Sequence, residues 1–561
     1  MRRTRTGVAP MSRRRLFTMA GLGTLAAVGG GSLLAACGRE PEQGGTATRL
    51  DQLADQLPTH QPLELVSPDL PVPPPAASGF TRYPSELVRA IEEKPGRGGG
   101  PISITTLYWG PTPPSNGNNA YVDTINEERL GVECRFSIQD GNTYHEPLTA
   151  MLASRDVPDV LVVPSWNTFV PRFPDAAETL FEDLSGYLSG DNVLEYPMLA
   201  TLPTDQWQHC FWGERLRAVP FVNDNPFGWV LFYRKDLLDP LGVGLPTTAD
   251  ELYEIGKEIT DPSANRWAFN DIFRYLKMVF RVPNHGRGYS LDADGNVVHE
   301  VETEEYQAAL EFARRLFDEG LIHPDSVADP DADPKQAFNS GQQIFLQDGL
   351  GAWRGMQIEE QKVTPGYDMQ AVPVFSHDGG EPLVYGGGEP IFYTFIKQGL
   401  GEDRVREILG VLNWCAAPFG TIEWEERQHG FEGVHFDERA EDGTPINNDL
   451  FHEEYGEQFT FMSGRNPVQV GSPEIPGWID AYAEWASRAA PLIPENPWAG
   501  FKLEAPASMD QAGQFVLDAE RDFLRGRRPL SELGDVIEQW KRTGGEEGRE
   551  FMSGALESGE E

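Results

Sequence analysis

The chain has 561 residues, a formal net charge of −41 at pH 7 and 11% aromatic residues. So acidic a surface repels phosphate backbones and anionic headgroups, which argues against nucleic acid as a partner. The aromatic content is ample for a large core, and the length fits two or more domains.

The first 36 residues hold six arginines and no acid, and residues 16–36 carry no charge, the pattern of an export signal. Ser12-Arg13-Arg14-Arg15-Leu16-Phe17 approximates the twin-arginine pattern, with an ordinary secretory leader as the alternative. Leu34-Ala35-Ala36-Cys37 has the form of a bacterial lipobox, whose cleavage leaves Cys37 as a lipid-bearing N-terminus. The charge-free run is long enough for a retained anchor, but its glycines and its terminal cysteine favour processing. Removal of the six arginines takes the net charge from −41 to −47. Cys134, Cys210 and Cys415 then remain, and their odd number without a CxxC spacing fits neither a zinc ribbon nor a redox motif. One disulfide stays open as an option outside the cell. Cys415, on the apolar face of an expected helix, reads as a buried thiol.

Residues 37–100 read as a tether. Pro71-Val72-Pro73-Pro74-Pro75 and the glycine-rich stretch 96–101 interrupt any periodic pattern, so an extended, mobile linker is expected. From residue 102 strands and helices alternate. Residues 102–109 alternate as a strand, a helix follows at about 120–130, and 132–138 completes a β-α-β unit. Val160-Leu161-Val162-Val163-Pro164 is apolar throughout, as a buried parallel strand should be. This alternation predicts an α/β layer fold. Ligands of open α/β sheets gather at the carboxyl ends of the strands, where Trp109 and Trp166 fall.

Residues 302–321 keep a three-four apolar spacing and end at Gly320 with Pro324 close behind, which predicts one amphipathic helix. Asp292-Ala293-Asp294-Gly295-Asn296 reads as a hairpin turn, because its glycine stands at the fourth position instead of the sixth that a calcium loop needs. Residues 341–433 run through a short strand, a loop bearing Trp353 and Arg354, a second strand at 370–375, Tyr385-Gly386-Gly387-Gly388-Glu389-Pro390, a third strand at 391–396 and an amphipathic helix.

That order of elements resembles the hinge-crossing segment of the extracellular solute-binding proteins, family 1, that serve sugar ABC transporters. Further phrases in the same order carry the resemblance: the helix-to-strand stretch 144–163, Arg217-Ala218-Val219-Pro220, Pro246-Thr247-Thr248-Ala249-Asp250, and Gly320-Leu321-Ile322-His323-Pro324 before Ala337-Phe338. Phe419-Gly420-Thr421-Ile422 and residues 430–436 are similar to its larger oligosaccharide-binding lipoproteins. The resemblance implies an α/β, two-lobe periplasmic-binding-protein-like fold (type II, maltodextrin-binding-protein-like) with a cleft between lobes. It places residues 101–227 and 343–389 in the N-terminal lobe, 228–342 and 390–540 in the C-terminal lobe, and leaves 541–561 as a disordered acidic tail.

A pyranose ring offers apolar faces and a rim of hydroxyls, so its site needs aromatic platforms and planar polar groups. Trp109, Trp166 and Trp353 follow strands, Asn223 and Asp224 follow the first crossing, and Arg354 and Glu389 flank the second. By resemblance, Trp353 matches a Trp of the maltodextrin-binding members. The chain lacks HExxH, GxSxG and the Walker motif. The expected protein is therefore a non-enzymatic, monomeric lipoprotein without cofactor or metal. It would bind an oligosaccharide, deliver it to ABC transporter permease subunits and stay at the membrane through the lipid on Cys37. The alternatives are a binder of another solute such as a peptide and a secreted carbohydrate-active enzyme.

Overall fold

The computed structural model describes residues 45–560 apart from 171, 224, 330, 331 and 466–468. The export signal, Cys37 and Asp224 thus lie outside the described residues. The first lobe is built on a six-stranded sheet. Ile102–Tyr108 lies parallel between Cys134–Asp140 and Val160–Pro164, and Phe392–Ile396 runs antiparallel between Val160–Pro164 and Ala218–Val222. Gly464–Arg465 adds a short parallel edge. Val160–Pro164 and Phe392–Ile396 are buried along their whole length, which is why the first reads as an unbroken apolar run and the second is interrupted only by Thr394, whose hydroxyl donates to Met462 O. Tyr121, Ile125 and Leu148 from flanking helices cover the sheet.

The second lobe centres on an antiparallel three-stranded sheet in which Val230–Arg234 lies between Phe345–Asp348 and Met369–Ala371. The expected amphipathic helix is Glu304–Asp318, with Thr303 accepting the Tyr306 N–H and Tyr306, Ala309, Leu310, Ala313 and Leu316 buried. Residues 289–291 and 297–299 form the hairpin expected around the Asp292–Asn296 turn.

The division of the chain between lobes differs from the expected one. Residues 343–389 belong with the second lobe, because among the described residues Phe345–Asp348 pairs as a strand with Val230–Arg234 alone. Phe392–Ile396 and helix Glu402–Cys415 return to the first lobe, and the chain crosses again after Arg465 so that helix Trp478–Ala489 packs with Phe232 and Trp353. A strand of four residues, half of them polar, fits the edge of either sheet, so composition could not choose between them.

Two segments expected to be mobile are folded. In the supposed tether, Thr46–Arg49 pairs with Phe501–Glu504, Leu50 and Leu53 enter the first-lobe core, and Phe80 and Tyr83 pack on Phe419 and Trp424. In the supposed tail, Glu546–Glu560 is a helix whose Met552 and Ala555 are buried. Trp498 Nε1 donates to the Met552 carbonyl at 2.9 Å, and Arg549 pairs with Glu302 at 2.6 Å. Cys134, Cys210 and Cys415 are all buried and free.

Candidate functional site

Among the described residues, segments at 225–229, 385–391 and 469–474 are among those that join the lobes. The first two are laced together: the Gly228 N–H donates to Tyr385 O and the Gly387 N–H to Pro226 O, both at 2.8 Å. Buried Gln206 braces both, donating to Gly388 O at 2.8 Å and accepting the Asn223 N–H at 3.0 Å. The third joins through Gln469 Nε2, which donates to Asn225 Oδ1 at 3.3 Å. A side chain at Gly386 would meet Ile493 at 2.5 Å, so glycine permits this close approach. Asn223 is part of the lacing, since its amide donates to Gly387 O at 3.4 Å and its oxygen accepts the Asn225 N–H. Glu389 is exposed on the second crossing and lies within electrostatic reach of Lys502 and His209.

At the carboxyl ends of the first-lobe strands, Trp109 and Trp166 form an aromatic shelf, 39% and 47% exposed, with ring centroids 6.1 Å apart. Phe392 lies beneath both, at 6.4 Å from Trp109 and 5.8 Å from Trp166, and Phe461 meets Trp109 edge-on. A Cβ at Gly141 would strike the Trp109 indole at 2.4 Å, so the glycine lets the ring lie down on the backbone. Sequence reasoning missed the neighbouring Phe169, 46% exposed, over which the second lobe's Arg287 sits at 4.3 Å while also pairing with Asp510.

Trp353 is not part of this surface. It stands in the first turn of helix Ala352–Val363, not in a loop, and is 1% exposed. Its indole donates to Met369 O at 2.7 Å and packs on Phe232 and Trp478. The expected contact with a ligand is therefore withdrawn: the large ring fills the second-lobe core and its polar edge is already satisfied.

Arg354, the next residue, does reach open space. It lines a cavity of about 700 Å³, counted with its solvent-open part, to which both lobes and two crossings contribute: Asn225, Gln428, His429, Gln469 and Trp478 are among its walls. Burial pulls the Arg354 guanidinium down from its ordinary pKa, with Glu474, Tyr455 and Glu457 acting against that. Glu457, on the first lobe, accepts the Tyr455 O–H at 2.7 Å, and the same hydroxyl reaches Gln428 of the cavity wall at 3.5 Å. Burial pushes its carboxyl up, and its backbone adopts the left-handed φ of 58°. No cluster of three or more potential metal ligands occurs among the described residues.

Two α/β lobes joined by laced crossing segments, with an aromatic shelf and a polar cavity where they face each other, define a two-lobed binding protein. The chain belongs to the bacterial extracellular solute-binding protein family, whose model matches residues 114–392. Among its relatives, the polygalacturonan/rhamnogalacturonan-binding protein YtcQ of Bacillus subtilis is 21% identical over 56% of this chain, which spans 65% of YtcQ's own length. The lipoprotein LipO of the same organism is 22% identical over 75% of this chain and 86% of its own. The crystal structure of the N-glycan transport solute-binding protein NgtS from Streptococcus pneumoniae, in complex with Man1GlcNAc, has the same fold: TM-score 0.60, 15% identity, 82% of this chain and 99% of that one.

Proposed function

We propose that this chain captures a carbohydrate, in oligosaccharide form, between its lobes and delivers it unaltered to the permease of an ABC transporter. The observation that carries this reading is the exposed Trp109–Trp166 pair at the strand ends, because two adjoining indole faces suit the apolar faces of successive sugar rings. Arg354, Gln428, Asn225 and Gln469 add planar hydrogen-bonding groups on the wall of the cavity. The polygalacturonan and rhamnogalacturonan of YtcQ's name and the Man1GlcNAc held by NgtS support the same class. Contacts from both lobes then favour the closed arrangement, by hinge bending at the crossings.

Cys37 would carry the lipid that keeps the monomer at the outer face of the membrane, after export by the twin-arginine route. The relative LipO, itself a lipoprotein, supports the anchor. Labelling of cells with a fatty-acid analogue should mark the wild type and not Cys37→Ser. Isothermal titration against oligosaccharides tests the central reading. Heat with peptides and none with any sugar would replace it with a peptide binder, and new reducing ends from a polysaccharide would replace it with an enzyme.

A further inference from the structure

The cavity that Arg354 lines stands out by what its wall lacks. The chain holds 87 acidic residues against 46 lysines and arginines, yet among the described residues no aspartate or glutamate lines the cavity and Arg354 is its one cation. His429, on the same wall, hydrogen-bonds through Nδ1 to Asn447 Oδ1 at 2.8 Å, and burial holds its pKa at about 4, so it is neutral at pH 7. Among the described residues the Arg354 guanidinium has neither a hydrogen bond nor an ion pair, and its defined contact is the Trp478 ring at 6.0 Å. Glu474 and Glu457 act on it from off the wall, without pairing. Other buried cations are spent: Arg427 donates to the carbonyls of Cys415, Ser463 and Ala417, and Lys277 pairs with Glu300 at 2.8 Å.

A partly buried guanidinium without a protein acceptor has five N–H donors that a ligand can satisfy. A hydroxyl takes one of them, whereas a carboxylate takes two in parallel and neutralises the charge as well. The rest of the wall suits a ring that carries such a group. Trp478 and Tyr482 stack with centroids 5.9 Å apart, and Asn225, Gln428 and Gln469 bring neutral amides from the first lobe and two crossings. The rings fit the apolar face of a sugar and the amides fit its hydroxyls. The negative charge on the remaining surface acts on such a ligand through solvent, where physiological salt screens charges more than about 8 Å apart.

We propose that this cavity binds a sugar ring bearing a carboxylate, a uronic acid, with the Arg354 fork on the carboxylate, and that the contact makes the chain prefer an acidic oligosaccharide to a neutral one of the same skeleton. The inference rests on the carbohydrate reading above and narrows it. Arg354 sets the preference, while the uncharged Trp109–Trp166 shelf serves acidic and neutral sugars alike. A carboxylate without a ring offers nothing to the Trp478 and Tyr482 faces and should bind more weakly.

The test is isothermal titration of the full mature chain with trigalacturonate, trimannuronate and triglucuronate, with the full methyl ester of each, and with citrate, repeated on Arg354→Met and Arg354→Lys. In the wild type at least one acid should bind about 10- to 100-fold tighter than its ester, with an affinity that falls as salt rises. Arg354→Met should abolish that ratio while changing ester binding by no more than about threefold, and Arg354→Lys, which keeps the charge and loses the fork, should retain part of it. The wild-type ratio of acid to ester reads the charge preference without any variant, and near-ultraviolet circular dichroism checks that both variants fold. Every ester binding as tightly as its acid, an acid preference unchanged in Arg354→Met, citrate binding tighter than every trisaccharide, or binding of neutral sugars alone would each overturn the inference. No heat from the wild type with any of these sugars or a wider oligosaccharide panel would instead remove the carbohydrate reading, and this inference with it.

Discussion

His452 Nδ1 on the first lobe stands 3.6 Å from Glu359 Oε1 on the second, and Lys362 meets the same carboxylate at 3.0 Å. The lobes therefore touch through side chains as well as through the crossing strands. Glu359 is more than half exposed, so the pair contributes at most about 1 kcal/mol. Glu359→Gln should shift the lobes modestly toward opening and weaken a ligand held by both of them by about two- to fivefold. Small-angle scattering paired with titration checks this. A variant more compact than the wild type would contradict it.

Trp353 and the shelf tryptophans should fail in different ways. Trp353→Ala leaves a cavity in the second-lobe core and an unpaired Met369 carbonyl, and should cost about 3–5 kcal/mol in urea unfolding. Trp109→Ala and Trp166→Ala remove exposed rings and should leave the unfolding midpoint nearly unchanged.

Stability should decline in mild acid. Burial holds His299, packed against Tyr289 and Trp540, and His429, hydrogen-bonded to Asn447, down at about 4. The unfolded chain titrates histidine at about 6.5 and so binds more protons than the native state between these values. The stabilisation by neutral imidazole is full above about 6.5 and is lost as pH falls through this window, by roughly 3 kcal/mol per histidine at pH 4. His299→Gln should flatten the pH dependence of the unfolding midpoint between 6.5 and 4, and an unchanged slope would contradict the assignment.

The C-terminal helix is integral to the second lobe. Truncation after Gly545 removes Met552 from the core and leaves the Trp498 indole N–H buried without its acceptor. Each effect costs about 1–3 kcal/mol. The truncated chain should unfold at clearly lower urea concentration, and an unchanged midpoint would mean that the helix does not pack there.

The strands and the shelf were legible because their signals are local. Val160–Pro164 is apolar because it is buried on both faces, and Trp109 and Trp166 follow strand ends directly. Trp353 misled because a tryptophan after a strand reads alike whether the chain continues as a loop or turns at once into a helix. Which lobe received Phe345–Asp348 depended on a partner more than a hundred residues away. Arg354 stood out in the sequence by its place after a strand, and the fold sets it in the cavity wall, whereas Glu457 sits in an irregular stretch that carries no local signal. The acidic tail read as disordered because its few apolar residues, Phe551, Met552 and Ala555, gain their meaning from surfaces supplied by distant segments.

The most direct measurement is titration of the wild-type chain and of Trp109→Ala and Trp166→Ala with oligosaccharides, followed by heat and by tryptophan fluorescence. The account predicts saturable binding with a change in indole emission, weakened about 10- to 100-fold in each variant. Equal affinity in all three proteins, or no binding of any oligosaccharide to the wild type, would contradict it.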